Sequence, residues 1–456
     1  MAWKLGRTFQ AMLALAGIAG SVMAADIPDH PPTFATGVKI GEITSESVTI
    51  WSRLCGPEGT EGAPGLVTIR CWPAGNPERL VEVKNVPVDP ERDFTCQVVL
   101  SGLLPGTTYE GKIAAHGPDG ALGETVALHF KTAPVASQPA EVCAVIVTCQ
   151  GHETVDDPQK GHWVYSHMPS HNPDFFIHTG DVVYYDKGKA MPVSTNVPAA
   201  RQRWNKMFAY PWNRDFHRSV GSFFMKDDHD TLKNDCWPGQ SYGELTWEDG
   251  LKLFREQTPQ GPLPYRRIRW GKDLECWLLE GRDYRSPNNS PDGPDKTLLG
   301  KAQKAWLKET LQRSDASFKL VVSPAPVVGP GKAGKGDNLA NKAFAHEGDE
   351  LREFLSSIPN TYVVCGDRHW QYASKDPTTG LVEICCGPIN NAHAQVGSNA
   401  KENQAMHLYY GGGKGGYLRV VVHRVDGIPR IGFLWHGDRT SGGAINHELW
   451  YSKTDL

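Results

Sequence analysis

Short, predominantly apolar runs that each end in a reactive turn punctuate the second two thirds of the chain. Ala144-Val145-Ile146-Val147-Thr148 stops at Cys149, and Phe175-Phe176-Ile177-His178 runs into Thr179-Gly180-Asp181. Ser222-Phe223-Phe224-Met225 leads to Lys226-Asp227-Asp228-His229-Asp230, and Thr361-Tyr362-Val363-Val364-Cys365 leads to Gly366-Asp367-Arg368-His369. Apolar runs without alternation predict parallel strands buried on both faces. Open α/β sheets collect ligands at the C-terminal edge of such strands. Four runs ending in thiol, carboxylate and imidazole therefore predict one site assembled along one sheet edge.

Between these runs the period changes to that of helices, over 161–168, 199–208, 243–256, 299–311 and 347–355, with a strand over 318–323. Segments 143–148, 161–168 and 174–178 form a βαβ unit. Hairpins are predicted at 265–270 with 274–280, and at 418–422 with 431–435 around Asp426-Gly427. The glycine- and lysine-rich stretch 329–337 reads as a mobile loop. Residues 31–134 differ: 47–53 and 66–72 alternate at period two, and no helical segment interrupts them. Leu103-Leu104-Pro105-Gly106-Thr107-Thr108-Tyr109-Glu110 resembles the turn and corner tyrosine of fibronectin type III-like sandwiches, with Trp51 as the buried aromatic. The reading is thus a sandwich domain over 31–134 without catalytic residues, followed by an α/β domain over 135–456.

Length agrees with two domains, since 456 residues exceed one ordinary core. Lys+Arg at 47 against Asp+Glu at 51 gives a net charge of -4, which argues against a nucleic-acid-binding surface. Lys4 and Arg7, the apolar run 12–19 and Val22-Met23-Ala24 read as a signal peptide over 1–24, cut after Ala24, which predicts a periplasmic or extracellular protein. The run is shorter than the roughly 20 residues a membrane anchor needs, and no later stretch supplies one. Ten cysteines in an exported chain are compatible with disulfides, but no pairing is readable.

Taken in order, the strand-end motifs resemble the calcineurin-like metallophosphoesterases, and within them the PhoD-like alkaline phosphatases. The resemblance also rests on Cys149-Gln150, on Tyr184 three residues after Asp181, and on Leu299-Gly300 with Gln303 and Trp306-Leu307. Ser323-Pro324-Ala325-Pro326, Trp370, and Gly387-Pro388 near His393-Ala394 complete it. It implies an N-terminal fibronectin type III-like β-sandwich followed by a four-layer α/β/β/α sandwich with two metals at the strand ends. The broader superfamily pattern opens with Asp-x-His and closes with Gly-His-x-His. Cys149-Gln150-Gly151 and Gly366-Asp367-Arg368-His369 replace these, and are read as a change of metal. A histidine from the middle strand has no counterpart near Ser323.

Beside that resemblance, the donor chemistry gives each residue a role. Asp181 is placed to bridge two cations about 3.5 to 4 Å apart. Cys149, Tyr184 and His369 complete a soft, electron-rich first site suited to iron, and Asp228 and Asp367 an oxygen-rich second site suited to calcium, magnesium or manganese. His229 is either the group that protonates the leaving alkoxide or an Asp-paired structural histidine. Cys149 has the alternative of a buried apolar thiol. Asn234, Arg368 and Arg282 are candidate phosphate contacts, with Arg285 able to join Arg282 in a clamp. The expected activity is hydrolysis of a phosphate ester by in-line attack of a metal-bound hydroxide. The rivals are a phosphodiesterase or phospholipase on the same fold, and an inert hydrolase fold serving as a binding or wall-associated protein.

Overall fold

The computed structural model describes residues 31–57, 59–331, 334–397 and 406–453, so the predicted signal peptide lies outside the described residues. Two large sheets face each other across the main core. The first runs, in spatial order, Ile445–Ser452, Ile428–Gly437, Gly416–Val425, Val142–Val147, Phe175–His178, Ser222–Phe224, Val38–Gly41, Ser47–Arg53 and Thr95–Ser101. The second runs Arg266–Trp270, Leu274–Leu278, Phe318–Ser323, Thr361–Cys365, Val382–Cys385, Gln371–Lys375 and His407–Gly411.

Strand alternation creates the layers. Ala144 and Ile146 face the space between the sheets, where they share a core with Leu320, Val322 and Val364. Val145 and Val147, one residue out of phase, pack with Val164 and Phe216 on the outer side. Val321 and Val363 likewise face outward onto Leu307, Leu311, Leu351 and Leu355, from the helices Lys301–Arg313 and Ala345–Ser356. Both faces of each central strand are covered, which is why these runs carry no polar alternation. The result is the helix/sheet/sheet/helix order expected from the resemblance.

The helix over 199–208 is Val197–Ala209, and its first turn is closed by the Asn196 side chain accepting from the Ala199 N–H. That over 243–256 is Trp247–Gln257, started by a reciprocal Thr246/Asp249 capping box after a small hairpin. The helix expected at 161–168 shrinks to Val164–His167 and continues as the 3-10 turn Met168–His171, because Pro169 has no N–H to donate. A helix over Pro211–His217 was not anticipated.

Residues 31–134 do form a β-sandwich, and its corner is as read: the Leu104 N–H donates to the Tyr109 hydroxyl at 2.8 Å. It is not a detached unit, however. Four of its strands make their own sheet, while Val38–Gly41, Ser47–Arg53 and Thr95–Ser101 extend the first large sheet, with Gly41 paired parallel to Ser222. Trp51 donates its indole N–H to the Glu256 carbonyl at 2.7 Å, and the buried Lys39 ammonium sits 3.2 Å over the Trp51 ring. The sandwich thereby covers an edge that would otherwise be open. All ten cysteines are free thiols.

Candidate metal centre

Three strand ends turn by the same device. Cys149, Asp181 and Asp367, each just past its strand, are non-glycine residues in the left-handed region, at φ 54°, 58° and 61°. The turns are zipped to one another: Cys149 N–H donates to Gly180 C=O at 3.2 Å, and Gln150 N–H to Asp181 C=O at 3.0 Å. Glycine is required where the two sheets meet. A Cβ on Gly366 would lie 2.5 Å from Thr179 Oγ1, 2.7 Å from Thr148 Oγ1 and 2.8 Å from the Pro324 carbonyl oxygen. A Cβ on Gly180 would lie 2.7 Å from the Asp227 Cβ.

The side chains converge on Asp181. Its Oδ2 accepts from Tyr184 Oη at 2.9 Å and from Cys149 Sγ at 3.4 Å, while its Oδ1 is buried without a hydrogen-bond partner. Two groups of metal-type ligand atoms share this residue. Cys149, Asp181 and His369 form one, and Asp181, Asp228 and His229 form the other, each within 4.8 Å. Burial pushes the Asp181 carboxyl up to about 7; His229 opposes this, and Asp228 and Asp367 add to it. Burial also raises Asp367, whose Oδ2 is a second buried oxygen lacking a hydrogen bond. A buried carboxylate oxygen left without a hydrogen bond is expensive, and a cation would offset that cost. The donor set therefore fits two metal ions sharing Asp181.

His229 differs in surroundings from the other histidines. Its Nδ1 is 2.6 Å from Asp186 Oδ1, and its ring lies 4.4 Å from that of Tyr184. Burial disfavours its charge, yet Asp228, Asp181 and the Asp186 hydrogen bond outweigh burial and raise it to about 9. Asp186 uses its second oxygen to accept from the Asn234 backbone N–H at 3.0 Å. Asn234 itself is exposed.

The predicted residues are distributed as follows. Cys149, Asp181, Tyr184, Asp228, His229 and His369 come together, whereas Asp367 belongs to neither ligand group and lies toward Arg368, Lys335 and Asp337. Arg368 is buried, 3.5 Å from Asp367 Oδ2, with Nε and Nη2 lacking hydrogen-bond partners. Arg282 does not present an open clamp. It is fully buried, ion-paired to Asp227 Oδ1 and donating to the Cys236 carbonyl at 3.2 Å, so it acts as a counter-charge to the acidic loop. Arg285 is similarly held by Asn288 Oδ1 and the Asp337 carbonyl. His178, His152 and His162 are buried and held neutral, down to about 3, chiefly by burial.

Three neighbours of the site are given no role by the sequence, although His393 stands in one of its motifs. Asp186 lies two residues beyond Tyr184, near enough for the motif to have pointed to it. His393 Nε2 lies 3.4 Å from Tyr184 Oη and its ring 4.5 Å from that of His369. Only the loop that follows Gly387-Pro388 brings it there, alongside the Thr148–Pro388 bridge. Lys335, in the glycine- and lysine-rich stretch, is ion-paired to Asp235 at 3.0 Å and Asp337 at 3.4 Å. The buried Glu383 carboxylate holds the entry to that stretch by accepting from the N–H groups of Val327, Val328 and Gly329.

The sequence profile of the family described as PhoD-like phosphatase matches residues 144–420, and that of the PhoD-like phosphatase N-terminal domain matches 20–134. Alkaline phosphatase D of Bacillus subtilis (strain 168) is 24% identical over 330 residues, 63% of this chain and 55% of that protein. The chain thus matches little more than half the length of that curated relative. A solved structure of PhoD has the same fold, with a TM-score of 0.74 at 19% identity over 94% of this chain and 92% of that one. Purple acid phosphatase PPD1 from yellow lupin (Lupinus luteus) seeds shares it at a TM-score of 0.64 and 12% identity, over 93% of this chain and 74% of that one.

Proposed function

Because its profile matches residues 144–420, the chain belongs to the PhoD-like phosphatase family, and we propose that it is a metal-dependent phosphoric ester hydrolase. The observation that carries this reading is the pair of ligand groups sharing Asp181, beside a buried guanidinium with unmet donors at Arg368. Cys149, Tyr184, Asp181 and His369 would hold an iron ion, and Asp181 and Asp228, with Asp367 from the adjoining strand end, a calcium, magnesium or manganese ion. Such ions, when bound, neutralise charge developing on the phosphoryl oxygens and make water a better nucleophile.

The chain's own residues supply the rest. Arg368, with Nε and Nη2 uncommitted, is the phosphate contact, and its charge orients the phosphoryl group against the metal cluster. Asn234, exposed and tethered through its backbone to Asp186, is a second candidate phosphate contact. His229 has Nδ1 committed to Asp186, which leaves Nε2 to protonate the departing alkoxide. A positioned acid of this kind contributes about 10²- to 10⁴-fold in rate. No covalent phosphoenzyme is expected. The pattern of Lys4, Arg7, the run 12–19 and Ala24 supports export to the periplasm or beyond. Among the described residues no helix is long and apolar enough to cross a membrane.

The test is hydrolysis of an aryl phosphate monoester and the matching diester by the purified protein, before and after chelation. Chelation should remove activity and calcium or a similar ion should restore it, while Asp181→Asn should lose turnover by at least about 10³-fold, since both ions lose a shared ligand. Parent-rate hydrolysis by Asp181→Asn with both metals retained would refute the assignment, and the rate ratio of the two esters separates phosphatase from phosphodiesterase.

A further inference from the structure

Immediately after Tyr184, the chain leaves the site as a closed loop. The Ser194 N–H donates to the Tyr185 carbonyl at 2.7 Å, so the loop's two ends meet, while Lys187, Lys189, Pro192 and Val193 are exposed along it. Loops of this form are usually filled by their own side chains. This one is filled from outside, by Arg203 of the helix Val197–Ala209.

Arg203 is fully buried. Its Nε donates to Ser194 Oγ at 3.1 Å, and its Nη2 to the carbonyls of Pro192 at 2.7 Å, Lys187 at 2.8 Å and Met191 at 3.3 Å. Ser194 Oγ in turn donates to the Ala199 carbonyl at 3.2 Å, which ties the loop's exit to the same helix. Its Nη1 is buried without a hydrogen-bond partner, 3.9 Å from a Glu153 oxygen that also lacks one. Glu153 belongs to the turn after Cys149: a Cβ on Gly151 would lie 3.4 Å from both Glu153 Oε2 and His393 Nδ1. A buried guanidinium is costly unless its donors are matched, and a helix needing only to pack would use an apolar residue here. The loop is what matches them. At its start stands Asp186, which holds His229 and Asn234.

We propose that Arg203 is a positioning residue that fixes the 185–194 loop as the wall beside His229, and that this wall selects among the alcohol halves of the esters the site accepts. The proposal rests on the hydrolase reading above. Its logic is steric: His229 faces the departing alcohol, and the chain that continues from its Asp186 partner borders that side.

Arg203→Lys keeps the charge, but one ammonium cannot span Ser194 Oγ and three separate carbonyls. Ser194→Ala removes one acceptor of Arg203 together with the bond to the Ala199 carbonyl, and serves if the first variant does not fold. Two readouts apply to the metal-loaded full chain. The first, independent of activity, is trypsin cleavage after Lys187 and Lys189 under native conditions. It should accelerate by about tenfold or more in Arg203→Lys, and less in Ser194→Ala, because cleavage follows the population of the opened loop. The second is kcat and KM for phenyl phosphate and for the phosphate ester of a much larger alcohol. KM for the larger ester should rise about tenfold while kcat for phenyl phosphate changes by less than about twofold. Unchanged trypsin resistance in both variants would overturn the caging. A loosened loop with equal effects on the two esters would overturn the wall. A wild-type protein that hydrolyses neither ester would refute the hydrolase reading, with the proteolysis still reporting on Arg203.

Discussion

Cys149, Asp181 and Asp367 each hold a backbone conformation that costs an L-residue about 1–2 kcal/mol. The cost is sustained at three neighbouring strand ends, where the turns deliver Cys149 and Asp181 into the ligand groups and Asp367 beside them. Protons matter as much as geometry there. Burial, then the Asp181 charge, pushes the Cys149 thiol and the Tyr184 phenol well above their usual ranges, so both are neutral until a cation displaces their protons. Metal uptake should therefore release protons, and retention should weaken as pH falls. Iron bound by the Tyr184 phenolate should colour the purified protein. Tyr184→Phe should abolish the visible band, and Cys149→Ser should lower the iron content, because a hard neutral hydroxyl replaces a soft thiolate. Absorption spectra and elemental analysis check this, and an iron-free, colourless but active wild type would remove the assignment.

At the scale of elements, the turn Met168–His171 is fastened to the hairpin Gly416–Val425 and Ile428–Gly437 by a relay of rings. Arg419 can only donate, and its Nη1 lies 3.0 Å from His171 Nδ1. His171 Nε2–H therefore donates to Tyr417 Oη at 2.7 Å, and Tyr417 O–H donates to His167 Nδ1 at 2.9 Å. His436 stacks on Tyr417, with Nδ1 donating to the Gly443 carbonyl at 2.8 Å. Every ring is neutral in this arrangement. Burial, with Arg419 adding for His171, holds His171 and His436 down to about 4, and burial lowers His167. Folded values below the unfolded imidazole value of about 6.5 mean that the unfolded chain binds more protons in between. The contribution is complete above about pH 6.5 and is lost as pH falls toward about 4. His171→Gln should flatten the dependence of unfolding on pH across that window by about one proton, read from denaturant midpoints. An unchanged slope would show that the relay is not titrating.

For the whole molecule, the sheet shared by residues 31–134 and the α/β part changes what truncation should do. Among its described residues the sandwich supplies none to the two ligand groups. Yet its removal would expose the Ser222–Phe224 edge and strip the contacts of Lys39 and Trp51 from the Glu256-Gln257 end of a helix. A chain starting near Val135 should be poorly soluble, with metal binding and activity lost together, and a soluble, fully active fragment would contradict this. The sequence by itself determined the layers, the strand-end turns and most of the cluster, because these follow from local patterns: apolar runs, left-handed turns and motif spacing within a few residues. Tertiary structure alone decided that Arg282 is a counter-charge to Asp227, that Asp367 lies beside rather than within the two ligand groups, that His393 reaches the site, and that Arg203 fills the loop that leaves it. It also fused the sandwich to the sheet of the second domain. The physical reason is one of range: a side chain's type is local, but its partner is whatever distant element packs against it, and hydrophobic periodicity carries no information about that choice.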